Sequence, residues 1–322
     1  MLLELKDLTV KYKTREGRVL AVDKVSLPLE EKKTLGLVGE SGCGKSTLGG
    51  AILGILPRET QITGKVIFSG TDLTSMPSKE LRSIRGKDIS MIFQDPMTSL
   101  NPVMKLRDHF IETIFTHTQT SKENAIALAE QALKEVGISS NRLNDYPFQL
   151  SGGMRQRVMI ALSLVLNPKL VIADEPTTSL DVIVQAQILQ LLKGLQEKFK
   201  MAMILITHDL GVVAEAADDI GVMYGGHLVE YAPKLELYKD PLHPYTKDLL
   251  ASVPNTDIND KELRFIPGYP PDLMNPPKGC RYADRCAKVK EICKQKIPPD
   301  VRMDDGRLVK CWLYGEGEKN DA

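Results

Sequence analysis

The chain has 322 residues, with 42 Lys and Arg against 42 Asp and Glu, so its formal net charge is zero. That length is roughly two domains' worth with ample core-forming side chains, and the balanced charge gives no electrostatic case for nucleic acid or an anionic membrane surface. No apolar run approaches the roughly 18 residues a membrane span needs, and the charged start Glu4-Leu5-Lys6-Asp7 does not suit a signal peptide; the chain is expected to be soluble by itself, with any membrane role coming through partners.

In chain order, residues 3–10 and 25–29 read as strands, and the short apolar run 34–38 reads as a buried strand. Directly after it comes Gly39-Glu40-Ser41-Gly42-Cys43-Gly44-Lys45-Ser46, which satisfies the G-x-x-x-x-G-K-[ST] phosphate-loop pattern in full. The apolar segment 47–56, beginning at Thr47, reads as the helix that follows. Glycines let such a backbone wrap closely, so that N–H groups and the positive end of the helix point at phosphate oxygens. Lys45 is placed to neutralise the β- and γ-phosphates, and the Ser46 hydroxyl to ligate Mg²⁺. Cys43 lies among those N–H donors near a helix N-terminus, a setting that tends to lower a thiol pKa, so alkylation there is expected to inhibit and ATP to protect.

Residues 65–68 and 89–93 read as further strands, the second ending at Gln94. From 94 to 157 helix formers dominate, notably over 123–136, and the segment closes on Leu150-Ser151-Gly152-Gly153. About twenty residues later the apolar run 170–173 ends in Asp174-Glu175, the pattern of a buried parallel strand that delivers acids to its carboxyl end. Asp174 would hold Mg²⁺ through water and Glu175 would orient and polarise the attacking water. Ser179-Leu180-Asp181 follows, and the strand-like run 202–206 leads to His208. Beyond Tyr231, Pro267, Pro270, Pro271, Pro276, Pro277, Pro298 and Pro299 interrupt any long periodic pattern.

A phosphate loop followed by a second glycine-rich element resembles the ATP-binding-cassette (ABC) transporter ATPases. The resemblance makes Gln94 the Q-loop glutamine, which contacts Mg²⁺ and water. It makes Ser151, Gly152 and Gly153 the signature that caps ATP on another subunit, Asp181 the D-loop aspartate, His208 the switch histidine at the γ-phosphate and Tyr12 the aromatic that stacks on adenine. The stretches Phe93-Gln94-Asp95-Pro96-Met97-Thr98-Ser99-Leu100-Asn101-Pro102, Ser151-Gly152-Gly153-Met154-Arg155-Gln156-Arg157 and Pro241-Leu242-His243-Pro244-Tyr245-Thr246 are similar to those of the dipeptide and oligopeptide importer ATPases. Met154 stands where the general ABC consensus has glutamine, and within this branch that methionine is typical.

The resemblance implies an α/β P-loop fold: a RecA-like ATP-binding core with a parallel sheet and an antiparallel β flap from residues 1–93 and 158–230, a helical signature subdomain at 94–157 and a C-terminal extension at 231–322. It implies a motor on the cytoplasmic face of the membrane, with a second, paralogous ABC ATPase chain, two permease subunits contacted through the loop from Gln94 to Pro102, and an extracytoplasmic solute-binding protein. A reading from a different class is a soluble ABC ATPase acting on nucleic acid or ribosomes; one cassette, no heptad run and no basic excess count against it.

Four of the five cysteines, Cys280, Cys286, Cys293 and Cys311, fall in the proline-rich tail. A segment so short and poor in apolar residues is expected to need a crosslink or metal. A chain that binds ATP and lacks a signal peptide belongs in a reducing compartment, which disfavours disulfides. Zinc ligands usually come in C-x₂₋₄-C pairs, and the gaps here are wider. Four thiolates also suit an iron-sulfur cluster, and the C-x₅-C-x₆-C-x₁₇-C spacing resembles the [4Fe-4S] tail of some peptide-importer ATPases. Cluster, zinc and idle thiols all stay open on the residues alone.

Overall fold

A computed structural model describes residues 1–95, 99–178, 180–252 and 265–315. Its strands are β1 (Leu3–Lys13), β2 (Arg18–Leu29), β3 (Thr34–Val38), β4 (Gln61–Phe68), β5 (Thr71–Asp72), β6 (Ile89–Ile92), β7 (Leu170–Asp174), β8 (Ala202–Ile206), β9 (Asp219–Tyr224), β10 (His227–Pro233), β11 (Asp300–Arg302) and β12 (Leu308–Lys310). Pro96, Met97 and Thr98 of the predicted coupling stretch and Ser179 of the predicted D-loop lie outside the described residues. The chain divides into two compact units, one of Met1–Leu29, Leu35–Thr74 and the chain from Thr207 onward, the other of Glu30–Thr34 and Ser75–Ile206.

The first unit carries an antiparallel sheet in the order β2-β1-β4-β5. Strict alternation along β1 would bury Leu3 and Leu5 and then Asp7. Instead the pairing with β2 shifts between Leu5 and Leu8, and Asp7 takes a left-handed φ of 47°. The extra residue resets the period, so Leu8 and Val10 are buried with Leu3 and Leu5.

Its other strands run in the order β11-β12-β10-β9-β3. β3 and β9 are parallel, with Leu35 opposite Asp219 and Val38 opposite Val222. Every residue of β3 is buried, which explains why only Thr34 in it is polar. Val38, Val222, Tyr224, Tyr245 and Tyr282 belong to one core cluster.

The tail is more than a thiol-held appendage. β12 pairs with β10, Glu230 opposite Val309, and β11 pairs with β12. Val309 is fully buried in a small cluster with Leu242 and Cys311, and Tyr282 is 1% exposed. Burial of one such side chain is worth about 1.5–3 kcal/mol. This corrects the expectation that the segment cannot fold on apolar burial: its few large side chains pack on the sheet, Tyr282 against Tyr224, and on one another, Val309 with Leu242 and Cys311.

In the second unit β8, β7 and β6 are parallel, in that order. All residues of β7 and β8 are buried, as expected of strands covered on both faces. The helix Lys122–Glu135 is capped by Ser121, which accepts from the Asn124 N–H, and buries Ala125, Ala129, Ala132 and Leu133 along one stripe. Two more helices matter for the site, Gly152–Leu164 and Val182–Phe199. The first runs without a break through the predicted boundary between residues 157 and 158.

Candidate functional site

Within the first unit, β3 feeds the phosphate loop and the helix Lys45–Leu53 leaves it. Gly39 has φ +148°, and a Cβ there would lie 2.1 Å from the Met223 carbonyl oxygen, so backbone meets backbone and only glycine fits. The Lys45 side chain is 5% exposed. Its ammonium donates to the Gly39 carbonyl at 2.7 Å and the Glu40 carbonyl at 3.0 Å, which places a buried positive charge inside the loop. Ser46 is exposed at the start of the helix. Beside it the Tyr12 hydroxyl donates to Thr47 Oγ1 at 3.2 Å, so the predicted adenine-side aromatic is tied to the helix that opens at the phosphate loop.

Cys43 behaves unlike its sequence setting. The thiol is only 4% exposed, and burial pushes its pKa up despite the nearby Lys45. The expectation of an activated thiol is therefore corrected, because desolvation outweighs the helix N-terminus and the lysine.

In the second unit β7 ends at Asp174, 6% exposed, and Glu175 follows with φ +45°, a left-handed conformation rare for a residue with a side chain. The Glu175 N–H donates to the Ile206 carbonyl at 2.9 Å, which holds the turn. Glu175 Oε2 accepts from Gln94 Nε2 at 3.1 Å and from Thr178 Oγ1 at 2.8 Å. The strand ends thus bring together two predicted site residues 81 positions apart. Thr178 was not singled out by its sequence; its place three residues after the glutamate, in an irregular segment, is the signal that was there to find. A carboxylate with one oxygen fixed by two donors is suited to orient a water.

The same unit carries the predicted signature. Ser151 caps the helix Gly152–Leu164, its hydroxyl accepting from the Met154 N–H at 3.3 Å, and both Ser151 and Gly152 are exposed. A Cβ on Gly153 would lie 2.8 Å from Val184 Cγ1, so this glycine allows the two helix N-termini to approach. Asp181 caps the second helix by accepting from the Val184 N–H at 3.0 Å. Val182 and Ile183, which follow it, are 79% and 72% exposed. Ser151 and Gly152 of the predicted signature and Asp181 of the predicted D-loop are therefore exposed together with an apolar pair.

His208, back in the first unit, is exposed next to Asp209, whose carboxylate caps the helix Leu210–Ala216. In the tail, Cys280, Cys286, Cys293 and Cys311 are free thiols that line one cavity. Burial, reinforced by the neighbouring thiols, pushes Cys280 up to about 12 and raises Cys286 and Cys311. Among the described residues, however, no group of three or more His, Cys, Asp or Glu is arranged to hold a metal ion. The metal site expected at the four cysteines is thus not shown.

Residues 22–178 match the family described as ABC transporter, and residues 229–293 match that described as oligopeptide/dipeptide transporter, C-terminal region. The chain is 49% identical to the oligopeptide transport ATP-binding protein OppD of Bacillus subtilis, over 97% of this chain and 88% of that protein. It belongs to the ABC transporter ATP-binding family. A second member, the dipeptide transport ATP-binding protein DppD of the same organism, is 47% identical over 98% of this chain and 95% of its own length. Among solved structures, an ABC cassette described as the dimeric post-hydrolysis state bound to ADP and Pi superposes with a TM-score of 0.65 at 30% identity, covering 72% of this chain and 99% of that one. The P-loop fold of mixed α/β sheets is that of the ABC ATPases, and the chain is an ATPase. The alternative of work on nucleic acid or ribosomes gains no support from these relatives. No helix among the described residues is long and apolar enough to cross a membrane.

Proposed function

We propose that this chain is the ATP-hydrolysing motor of a membrane ABC importer for dipeptides or oligopeptides, working at the cytoplasmic face with a second ATPase chain, two permeases and a solute-binding protein. The observation that carries it is the outward placement of Ser151 and Gly152 beside Asp181, Val182 and Ile183: a phosphate-capping element turned to solvent serves another molecule. Gly39, Ser41, Gly42, Cys43, Gly44, Lys45, Ser46 and Thr47 hold the phosphates through the backbone and the lysine, and Tyr12 meets the adenine. Ser46, Gln94 and Asp174 hold Mg²⁺, which neutralises charge on the β- and γ-phosphates. Glu175 orients water, His208 contacts the γ-phosphate, and the facing chain's signature closes the site. The division into a core (1–93 and 158–230), a signature subdomain (94–157) and an extension (231–322) is the matching functional reading. Deletion of the gene is expected to abolish uptake of labelled di- or oligopeptides, restored by the intact gene and not by one encoding Glu175→Gln. Unchanged uptake, with the protein co-purifying with nucleic acid and not membrane proteins, would overturn the reading.

We propose further that Cys280, Cys286, Cys293 and Cys311 hold a [4Fe-4S] cluster of structural role. What supports it is the donor set: four thiols, Cys293 and Cys311 buried and Cys280 and Cys286 partly so, line one cavity, and four cysteines are the ligands such a cluster takes. The space they enclose is about 10 Å³, room for roughly one water, so a cluster requires the thiols to part. Anaerobically purified protein is expected to be brown with about four iron and four sulfide per chain. One zinc per chain selects the simpler metal instead, and metal-free protein with an ordered tail defeats both.

A further inference from the structure

The tail reaches the phosphate loop directly, and the contacts all lie in the first unit. Glu40, the second residue of the loop, is held at three points. Its N–H donates to the Tyr245 hydroxyl at 3.0 Å, its carbonyl accepts from Lys45, and its carboxylate is gripped bidentately by Arg285, Nη1 to Oε2 at 2.8 Å and Nη2 to Oε1 at 2.9 Å. The Arg285 side chain is 5% exposed and the Glu40 side chain 23%. Its remaining N–H groups go to the Tyr224 hydroxyl at 3.1 Å, the Pro267 carbonyl at 2.8 Å and the Ile266 carbonyl at 3.2 Å. All five guanidinium donors are therefore engaged, a pattern no lysine can reproduce.

A second arginine reaches the loop through the Gly225-Gly226 turn. Arg281 donates to the Gly225 carbonyl at 2.6 Å and to Asp23 at 2.7 Å. The adjoining Gly226 N–H donates to the Cys43 carbonyl at 3.0 Å, inside the phosphate loop. Between the arginines, Tyr282 packs edge-on to Tyr224 and Tyr245, and Tyr245 is the residue that accepts from the Glu40 N–H. Arg281 directly follows Cys280, and Arg285 directly precedes Cys286.

We propose that the segment from Cys280 to Cys286 is a positioning clamp for the phosphate loop, through which the state of the four-cysteine site sets nucleotide affinity. Arg285 acts through Glu40, fixing the first peptides of a loop whose work is done by backbone N–H groups. A preset loop pays less ordering entropy when phosphate arrives. This rests on the assignment of residues 39–47 as the ATP phosphate site.

The test measures the Kd for a fluorescent ATP analogue on the full chain, with KM and kcat for ATP alongside. Arg285→Lys and Glu40→Gln are each expected to raise Kd and KM about tenfold, the double variant no more than either single, with kcat at saturation nearly unchanged. Glu40→Gln changes a side chain outside the tail, so it keeps the test decisive if the arginine variant folds poorly. Cys286→Ser is expected to raise Kd by a similar factor, and combined with Arg285→Lys to add nothing further. Unchanged Kd in Arg285→Lys and Glu40→Gln, or full additivity between them, overturns the clamp; unchanged Kd in Cys286→Ser overturns its link to the cysteines. Lys45→Ala is the control: if it too leaves Kd unchanged, the phosphate-site assignment fails and not the clamp.

Discussion

Glu175→Gln is expected to cut steady-state ATP turnover at least 100-fold while ATP affinity stays within about twofold, the range seen when one positioned acid-base group is removed. Glu175 Oε2 accepts from both Gln94 and Thr178, and an amide oxygen in the same place keeps both bonds. The left-handed turn is held by a backbone bond to Ile206 that the substitution does not touch. The fold around the site is therefore preserved and only the carboxylate charge is lost. An ATP-bound dimer should accumulate, visible by size-exclusion chromatography. Turnover at the unmodified rate would remove Glu175 from its assigned role.

Ser151→Arg is expected to abolish ATP-driven dimerisation and cooperative turnover, while the isolated chain binds ATP nearly as before. The residue is exposed at a helix N-terminus, so the added bulk and charge project outward and disturb little of their own unit. Loss of the cap, whose 3.3 Å bond to Met154 is long, costs about 0.5–2 kcal/mol of stability. Lys45→Ala should do the reverse, weakening ATP binding to the single chain. Its charge-assisted contact is worth about 1.5–3 kcal/mol, or roughly 10- to 150-fold in Kd. Nucleotide titration on monomers separates the two. Should Ser151→Arg fail to bind ATP as a monomer, the assignment of the signature to a facing chain is wrong.

Much of the site was legible because its parts are local. The loop Gly39 to Ser46 declares itself through spacing, the strand runs 34–38 and 202–206 reappear as β3 and β8 with the same limits, and the apolar run 170–173 reappears as β7, which takes in Asp174 as well. Helix limits moved by only a few residues: the segment read from 123 to 136 is the helix Lys122–Glu135. What the sequence hid depends on the environment of a side chain. Cys43 has the right neighbours for a reactive thiol and the wrong solvent exposure. Arg285 and Glu40 are 245 positions apart, and neither stands out in a chain with 84 charged residues. The tail's strands β11 and β12 are three residues each, too short for alternation to be counted, and they exist because β10 offers a partner.

That last pairing bears on how the protein should be handled in the laboratory. Shortening the chain before Asp300 to obtain a minimal cassette would strip β12 from β10 and leave the ladder groups of Glu230 and Tyr231 without their present neighbour, alongside the newly bared side chain of Leu242. An uncovered edge with apolar surface beside it is a template for other chains, so such a fragment would tend to self-associate through contacts that have nothing to do with ATP. Dimers seen with it would be mistaken for the nucleotide-driven dimer proposed above.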